Sequence, residues 1–140
     1  MTTAIDTNVI VALWENEPLV SEWAQASLDR SLEHGALVIA APVFAELMAA
    51  PGRNERFVDA FFRRTGINID WTLDEKVWRI AGTAFQHYAT RRRSHGEPGP
   101  RRILPGFLIG AHAFRHGYTL LTTDKRLYRA AFPELVLLPQ

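Results

Sequence analysis

The stretch AIDTNVIVAL, residues 4–13, sets the pattern of the chain: a short apolar run ends in an acid and continues at once into an apolar segment. Similar short runs alternate with longer segments of helical period. That alternation is typical of an α/β layer architecture with a mainly parallel sheet. At 140 residues, we expect one domain over residues 1–140, with a core that needs no disulfide or structural metal.

The pattern predicts five strands and the helices between them. Pro is favoured at the first position of a helix, as at Pro42, and Gly often follows the last position, as at Gly35. We place strands at residues 3–6, 37–40, 67–71, 119–122 and 135–138, and helices at 18–33, 42–50, 57–65, 73–93 and 107–116, with a further helix after the first strand in the N-terminal stretch 1–18. The stretch SHGEPGPRR, residues 94–102, is predicted to be a loop because it holds two Gly and two Pro.

Three acids stand at the edges of these apolar segments. Asp6 ends the first strand, Asp124 follows the fourth in LLTTDKRLY, and Glu46 lies one turn into the helix APVFAELMAA. Ligands of open parallel sheets bind outside the carboxyl ends of the strands, so acids from distant parts of the sequence can reach one crevice. A single acid in such a place more often caps the next helix. Three together favour a carboxylate-lined site.

Carboxylates that lie close together repel one another, and their pKa values rise unless a cation compensates them. Mg²⁺ prefers oxygen ligands and keeps several waters, and Mn²⁺ is a close alternative. Such an ion can activate water and stabilise charge on a phosphodiester. The sequence therefore predicts a Mg²⁺ site at Asp6, Glu46 and Asp124, with hydrolysis of a nucleic-acid backbone as the reaction.

The segments AIDTNVIVAL, APVFAELMAA, LPGFLIGAHAFRHGYTLLTTD and RLYRAAFPEL resemble PIN-domain ribonucleases, specifically the VapC-type toxins of bacterial toxin–antitoxin pairs. The resemblance covers essentially the whole chain. It implies a three-layer domain with a mainly parallel central sheet flanked by helices. It also implies that Asp6, Glu46 and Asp124 are three of four metal-site acids, with Asn8 and Thr122 beside them. The implied activity is Mg²⁺-dependent endonucleolytic cleavage of RNA, restrained by a cognate VapB-like antitoxin, and VapC-like proteins commonly form homodimers.

Gly106 departs from this family pattern. The resemblance implies an Asp there, at the start of the helix that begins LIGAHA. Gly is tolerated as a helix N-cap, so we expect the fold to survive. Loss of the acid is expected to reduce the cleavage rate by about a hundredfold or more. We therefore expect a folded but strongly impaired nuclease; the alternative is a non-cleaving module that binds antitoxin or RNA.

A run of cations precedes Gly106, although the net charge of +1 does not itself indicate a nucleic-acid binder. The guanidinium fork of Arg suits phosphate and carboxylate equally well. These side chains are candidates for RNA binding, but a solvated helix end or contacts with acidic residues of an antitoxin explain the run as well. The candidates are Arg91, Arg92, Arg93, Arg101 and Arg102.

The chain has no cysteine, which excludes disulfides, thiolate metal sites and cysteine nucleophiles. The N-terminal stretch has no basic leader and carries Asp6 inside an apolar run too short to cross a bilayer. We therefore expect a cytoplasmic protein without a membrane partner.

Histidine and tryptophan suggest further sites that the sequence does not favour. His112 and His116 are four residues apart, a spacing that metal ligands use, but the HExxH pattern is absent, so a zinc role is disfavoured. The four tryptophans lie in apolar contexts. Packing in the core or in a dimer is favoured over base stacking.

Overall fold

The computed structural model describes residues 1–96 and 104–139. Its strands form one parallel sheet in the order β3-β2-β1-β4-β5. β1 therefore lies at the centre of the sheet, and the chain leaves its carboxyl end at Asp6. The strands are β1 (Thr3–Ile5), β2 (Leu37–Ala40), β3 (Asn68–Asp70), β4 (Thr119–Leu121) and β5 (Leu137–Leu138).

Helices connect the strands and cover the sheet, which confirms the predicted three-layer α/β fold with a parallel sheet. α4 begins at an Asn54 cap whose side chain accepts from the Phe57 amide, and it ends at Gly66 in the left-handed conformation. The described helices are α1 (Thr7–Leu13), α2 (Pro18–Leu32), α3 (Ala41–Met48), α4 (Glu55–Thr65), α5 (Glu75–Ser94), α6 (Leu104–His116) and α7 (Lys125–Ala131).

The core lies on the central strands and on α6. Every residue of β1 and β2 is buried, as expected for strands covered on both faces. α6 buries the continuous run 107–113 and packs against α5, α3, β2 and β4. Gly110 permits this packing, because a Cβ there would lie only 2.4 Å from Cε2 of Phe132. α6 is thus held firmly between the sheet and the end of α7.

Two helix predictions need correction. α6 includes Leu104 and Pro105, so Gly106 lies in the first turn of the helix and not at its N-cap. Pro is tolerated in a first turn, where its missing N–H has no helical partner, so the Leu-Pro step does not delay the helix. The sequence pattern also gave no helix after the fourth strand, where α7 begins at the Asp124 cap.

Strand ends also differ slightly. β3 spans Asn68–Asp70 and β5 spans Leu137–Leu138, so both strands are shorter than predicted. The predicted loop at residues 94–102 lies mostly outside the described residues: Ser94 closes α5, and 95–96 form a turn.

Three of the four tryptophans are more exposed than a core role allows. Trp14 is half-buried, and its ring packs edge-on against Phe57 and Phe61, with centroids 5.1 and 5.2 Å away. The other three expose 37% (Trp23), 61% (Trp71) and 49% (Trp78) of their surface. Packing in the core is therefore wrong for these three, whereas packing in a dimer stays a prediction.

Along residues 1–96 and 104–139, none of the helices has the length and apolar character that a membrane span requires.

Candidate functional site

Asp6 follows the central strand β1, and its side chain reaches Thr122 at the end of the neighbouring strand β4. Its backbone N–H donates to the Leu121 carbonyl at 2.9 Å, which joins the ends of β1 and β4. Asp6 is the N-cap residue of α1, yet its carboxylate makes no capping hydrogen bond. Oδ2 instead accepts from the Thr122 hydroxyl at 2.8 Å. Simple helix capping therefore does not explain this acid.

Asn8 and Thr122 fix the carboxylate of Asp6 in place. The Asn8 amide donates to Asp6 Oδ2 at 3.2 Å, and its carbonyl oxygen accepts from the Thr123 backbone at 3.1 Å. The Thr122 hydroxyl also accepts from the Asp124 N–H at 2.9 Å. These bonds bridge two segments more than a hundred residues apart in the chain, so they orient Asp6 and Asp124 relative to one another.

Asp124 and Glu46 occupy different settings. Asp124 caps α7, with Oδ1 accepting from the Leu127 N–H at 3.3 Å, so part of its role is structural. Glu46 projects from α3 and is exposed. The Thr7 hydroxyl donates to Glu46 Oε1 at 2.6 Å, which ties the acid to the first turn of α1.

The three acids and Gly106 line one open pocket of about 420 Å³. Gly106 faces the pocket side of α7: a Cβ on it would lie 3.1 Å from Leu127 Cδ2 and 3.9 Å from the Tyr128 hydroxyl oxygen. The rest of the lining comes from α1, α6 and α7 and is partly apolar; it consists of Thr7, Asn8, Val11, Pro105, Ile109, Leu127 and Tyr128.

Tyr128 is a site residue that the sequence pattern did not reveal. Its side chain is fully buried, and its hydroxyl is hydrogen-bonded to Asp6. Burial raises the pKa of the Tyr128 phenol far above its usual range, and the charge of Asp6 raises it further. The phenol therefore stays protonated and donates to the carboxylate. A Tyr one turn into a helix gives no signal of this role, because the contact with Asp6 is long-range.

The pKa of the Asp6 carboxyl is raised. Burial is the main cause, and the negative charge of Glu46 adds to it, while hydrogen bonds from Thr122 and Tyr128 oppose the rise. A cation in the pocket would favour the ionised form of Asp6.

The residues of the pocket fit a hard divalent cation in their chemistry. Asp6, Glu46 and Asp124 all offer carboxylate oxygens, which Mg²⁺ prefers. Their carboxylate oxygens do not all lie within 4.8 Å of one another, whereas three oxygens bound directly to one ion would. In this structure, therefore, the three acids line one pocket but are not arranged to contact one ion together, and an ion between them would keep water in part of its shell.

A tighter group of potential ligands lies elsewhere. Among the residues that the structure describes, ligand atoms of Asp70, His112 and His116 all lie within 4.8 Å of one another. Sequence reasoning considered the two histidines but missed Asp70, which lies 42 residues before His112 and gives no local signal.

Three of the five arginine candidates, Arg91, Arg92 and Arg93, lie in the last turn of α5. Arg91 and Arg93 are exposed, whereas Arg92 is half-buried with its guanidinium carbon 5.7 Å from the ring centroid of Tyr88. Tyr88 in turn packs on Phe107 of α6. Arg101 and Arg102 lie outside the described residues.

Comparison with known proteins connects this arrangement to a family. The model of the family described as PIN domain matches residues 3–133. Among curated proteins, no sequence matches the chain.

Three solved structures share the fold over nearly the whole chain. VapBC2 from Rickettsia felis, bound to a DNA fragment from its promoter, aligns with a TM-score of 0.67 and 21% identity, covering 98% of this chain and 97% of that chain. VapBC-1 from nontypeable Haemophilus influenzae aligns with 0.66 and 21%, covering 98% and 96%. FitAcB from Neisseria gonorrhoeae aligns with 0.64 and 24%, also covering 98% and 96%. At these identities the similarity is one of fold.

Proposed function

The chain belongs to the PIN domain family, and we propose that it is a VapC-type, Mg²⁺-dependent endoribonuclease toxin whose catalysis is impaired at Gly106. The observation that carries the proposal is the pocket that Asp6, Glu46, Asp124 and Gly106 share. In this proposal RNA is the substrate, a VapB-like antitoxin restrains the protein in the cytoplasm, and the chain forms a homodimer.

The three acids would hold the metal. Bound Mg²⁺ would activate water and stabilise the negative charge that develops on the phosphodiester. Asp6 is fixed by hydrogen bonds from Thr122, Asn8 and Tyr128, so its carboxylate needs little reorganisation when the ion binds. Glu46 is held by Thr7 on the exposed side of the pocket, where substrate would enter.

Gly106 supports the proposed impairment through its position. It lies on the pocket wall, with its missing Cβ directed at Leu127 and Tyr128. An Asp at this position would add a fourth carboxylate from α6, after a small shift of the flexible Leu127 methyl group. Without that carboxylate, the pocket lacks one negative charge and up to two oxygen ligands.

Among the arginine candidates that the structure describes, we assign RNA binding to the exposed Arg91 and Arg93. Near the end of α5, Tyr88 packs on Phe107 of α6, the residue that follows Gly106, so the end of α5 lies beside the part of α6 that lines the pocket. Contacts from these side chains to phosphates would add affinity without reading sequence. Arg101 and Arg102 remain candidates for the same role.

The proposal is tested in the Gly106→Asp protein, where cleavage is expected to be measurable. With total bacterial RNA and Mg²⁺, adding Asp6→Asn should abolish cleavage, because the buried metal-binding carboxylate is lost. Asp59→Asn is a matched control, since Asp59 is an exposed acid of α4 outside the pocket lining. Full cleavage by the Asp6→Asn form would show that the pocket is not the catalytic site.

A second candidate function follows from Gly106 itself. A PIN fold that lacks this acid can act as a binding module that engages an antitoxin or RNA without cutting it. Co-purification with the product of the adjacent gene tests the antitoxin partner. A stable complex together with no cleavage by the unmodified chain would favour this function, whereas failure to co-purify counts against the antitoxin.

A further inference from the structure

Asp70, His112 and His116 bring three metal-ligating side chains together from two elements. Asp70 ends β3, and the two histidines lie one turn apart in the last part of α6. A ligand atom of each lies within 4.8 Å of the others. His112 Nε2 is 2.9 Å from Asp70 Oδ2. None of the three lines the pocket of Asp6, Glu46 and Asp124.

The surrounding residues hold the group in place. Side chains four apart on a helix project from one face, so His112 and His116 point in similar directions. The Thr72 N–H donates to Asp70 Oδ1 at 3.1 Å, which fixes the carboxylate and leaves Oδ2 toward His112. The His116 ring stacks on Tyr118, with centroids 5.4 Å apart. Supporting contacts of this kind commonly orient metal ligands.

Burial and the contact between His112 and Asp70 set the protonation of both groups. Burial lowers the pKa of His112, although Asp70 opposes the change, so the imidazole is neutral at neutral pH. Burial alone would raise the pKa of Asp70, but the hydrogen bonds from His112 and the Thr72 backbone bring it below its usual value. The neutral ring therefore carries its proton on Nε2, which donates to Asp70, and an ion bound at Nε2 would replace this proton.

A simple His–Asp pair explains only part of this arrangement. His112 is fully buried, and its Nδ1 has no hydrogen-bond partner among the described residues. The pair also leaves out His116, an exposed residue whose ring packs on Tyr118 and lies with its centroid 5.0 Å from that of His112. The ligand atoms of all three side chains lie within 4.8 Å of one another, and this closeness points to an ion that they share.

We propose that Asp70, His112 and His116 form a second metal site, which binds a divalent transition metal of the Zn²⁺ type. Two imidazoles and a carboxylate are a common zinc ligand set and leave a fourth position for water. The nitrogen donors select against Mg²⁺, which requires oxygen ligands. A bound ion would join the end of β3 to α6, the helix whose first turn carries Gly106.

Titration of the purified full chain with Zn²⁺ by calorimetry, and with Co²⁺ by its visible ligand-field absorption, tests the site. We expect one ion per chain and a higher Tm with Zn²⁺. Asp70→Asn keeps an oxygen acceptor for His112 but removes the charged ligand, and His116→Gln changes an exposed residue, so both variants should fold. Each should weaken Zn²⁺ binding by about tenfold to a hundredfold or more and lose the tetrahedral Co²⁺ absorption.

His87→Gln is the matched control, because His87 is an exposed histidine of α5 outside the group. It should bind Zn²⁺ as the unmodified chain does. Zn²⁺ affinity that is unchanged in both Asp70→Asn and His116→Gln would overturn the proposal. So would Zn²⁺ binding that Asp6→Asn abolishes and these two variants retain, because the ion would then occupy the carboxylate pocket. None of these readouts depends on RNA cleavage.

Discussion

The carboxylate pocket and the Asp70–His112–His116 group lie along the same helix and differ in nearly every other respect. The pocket offers only oxygen ligands, spread around an open volume of about 420 Å³. The second group offers two nitrogens and a carboxylate within 4.8 Å. The two regions therefore differ both in the kind of ligand atom that they offer and in the distances between those atoms. The pocket suits a hydrated hard cation, whereas the second group suits a directly bound transition metal.

The largest expected effect separates the two regions by activity. In the Gly106→Asp protein, Glu46→Gln and Asp124→Asn should each reduce Mg²⁺-dependent RNA cleavage by about a hundredfold or more, because each removes a charged ligand. Asp70→Asn in the same protein should leave the cleavage rate unchanged. Initial rates measured with equal protein concentrations check this. A comparable loss in Asp70→Asn would mean that the two regions form one functional unit.

A smaller effect tests the helix that connects the regions. Gly110→Ala places a methyl group against the Phe132 ring, where a Cβ would lie 2.4 Å from Cε2, and should destabilise the fold by about 1–3 kcal/mol. Gly82→Ala on α5, where nothing lies within 4 Å, should stabilise it by about 0.5–1 kcal/mol. Urea unfolding of both variants provides the measurement. Equal effects would show that α6 is not closely packed at Gly110.

The smallest effect concerns the burial of charge in the pocket. Because the pKa of Asp6 is raised in the folded protein, the folded state holds its proton more tightly, and stability falls as the pH rises through that pKa. Without divalent ions, Asp6→Asn should therefore raise Tm at neutral pH, by roughly 2–4 °C for each kcal/mol of relieved penalty. The difference should shrink toward pH 4. A Tm lowered at neutral pH would show that the ionised carboxylate stabilises the fold.

The sequence predicted those features that are encoded locally. Asp6, Glu46 and Asp124 each lie beside an apolar segment with clear periodicity, so their places at strand ends and on a helix followed from the pattern. Pro105 obscured the start of α6, since Pro is compatible with both a loop and a first turn. The exposed Trp71 and Trp78 show that an apolar context does not fix burial when the partner surface is unknown.

Long-range contacts could not be predicted in the same way. Tyr128 meets Asp6, and Asp70 meets His112, only because the sheet order and the packing of α6 bring distant segments together. No spacing in the sequence reports such pairs. The His112–His116 spacing was visible, but without Asp70 it gave no reason to expect a metal site.

The rate of RNA cleavage by the unmodified chain and by Gly106→Asp, measured side by side with Mg²⁺, tests the proposed function most directly. Gly82→Asp introduces the same charge on an exposed part of α5 and serves as the control. We predict that Gly106→Asp cleaves about a hundredfold faster or more than both other proteins, because only it restores a carboxylate to the pocket. Equal and substantial cleavage by all three proteins would contradict the impairment assigned to Gly106.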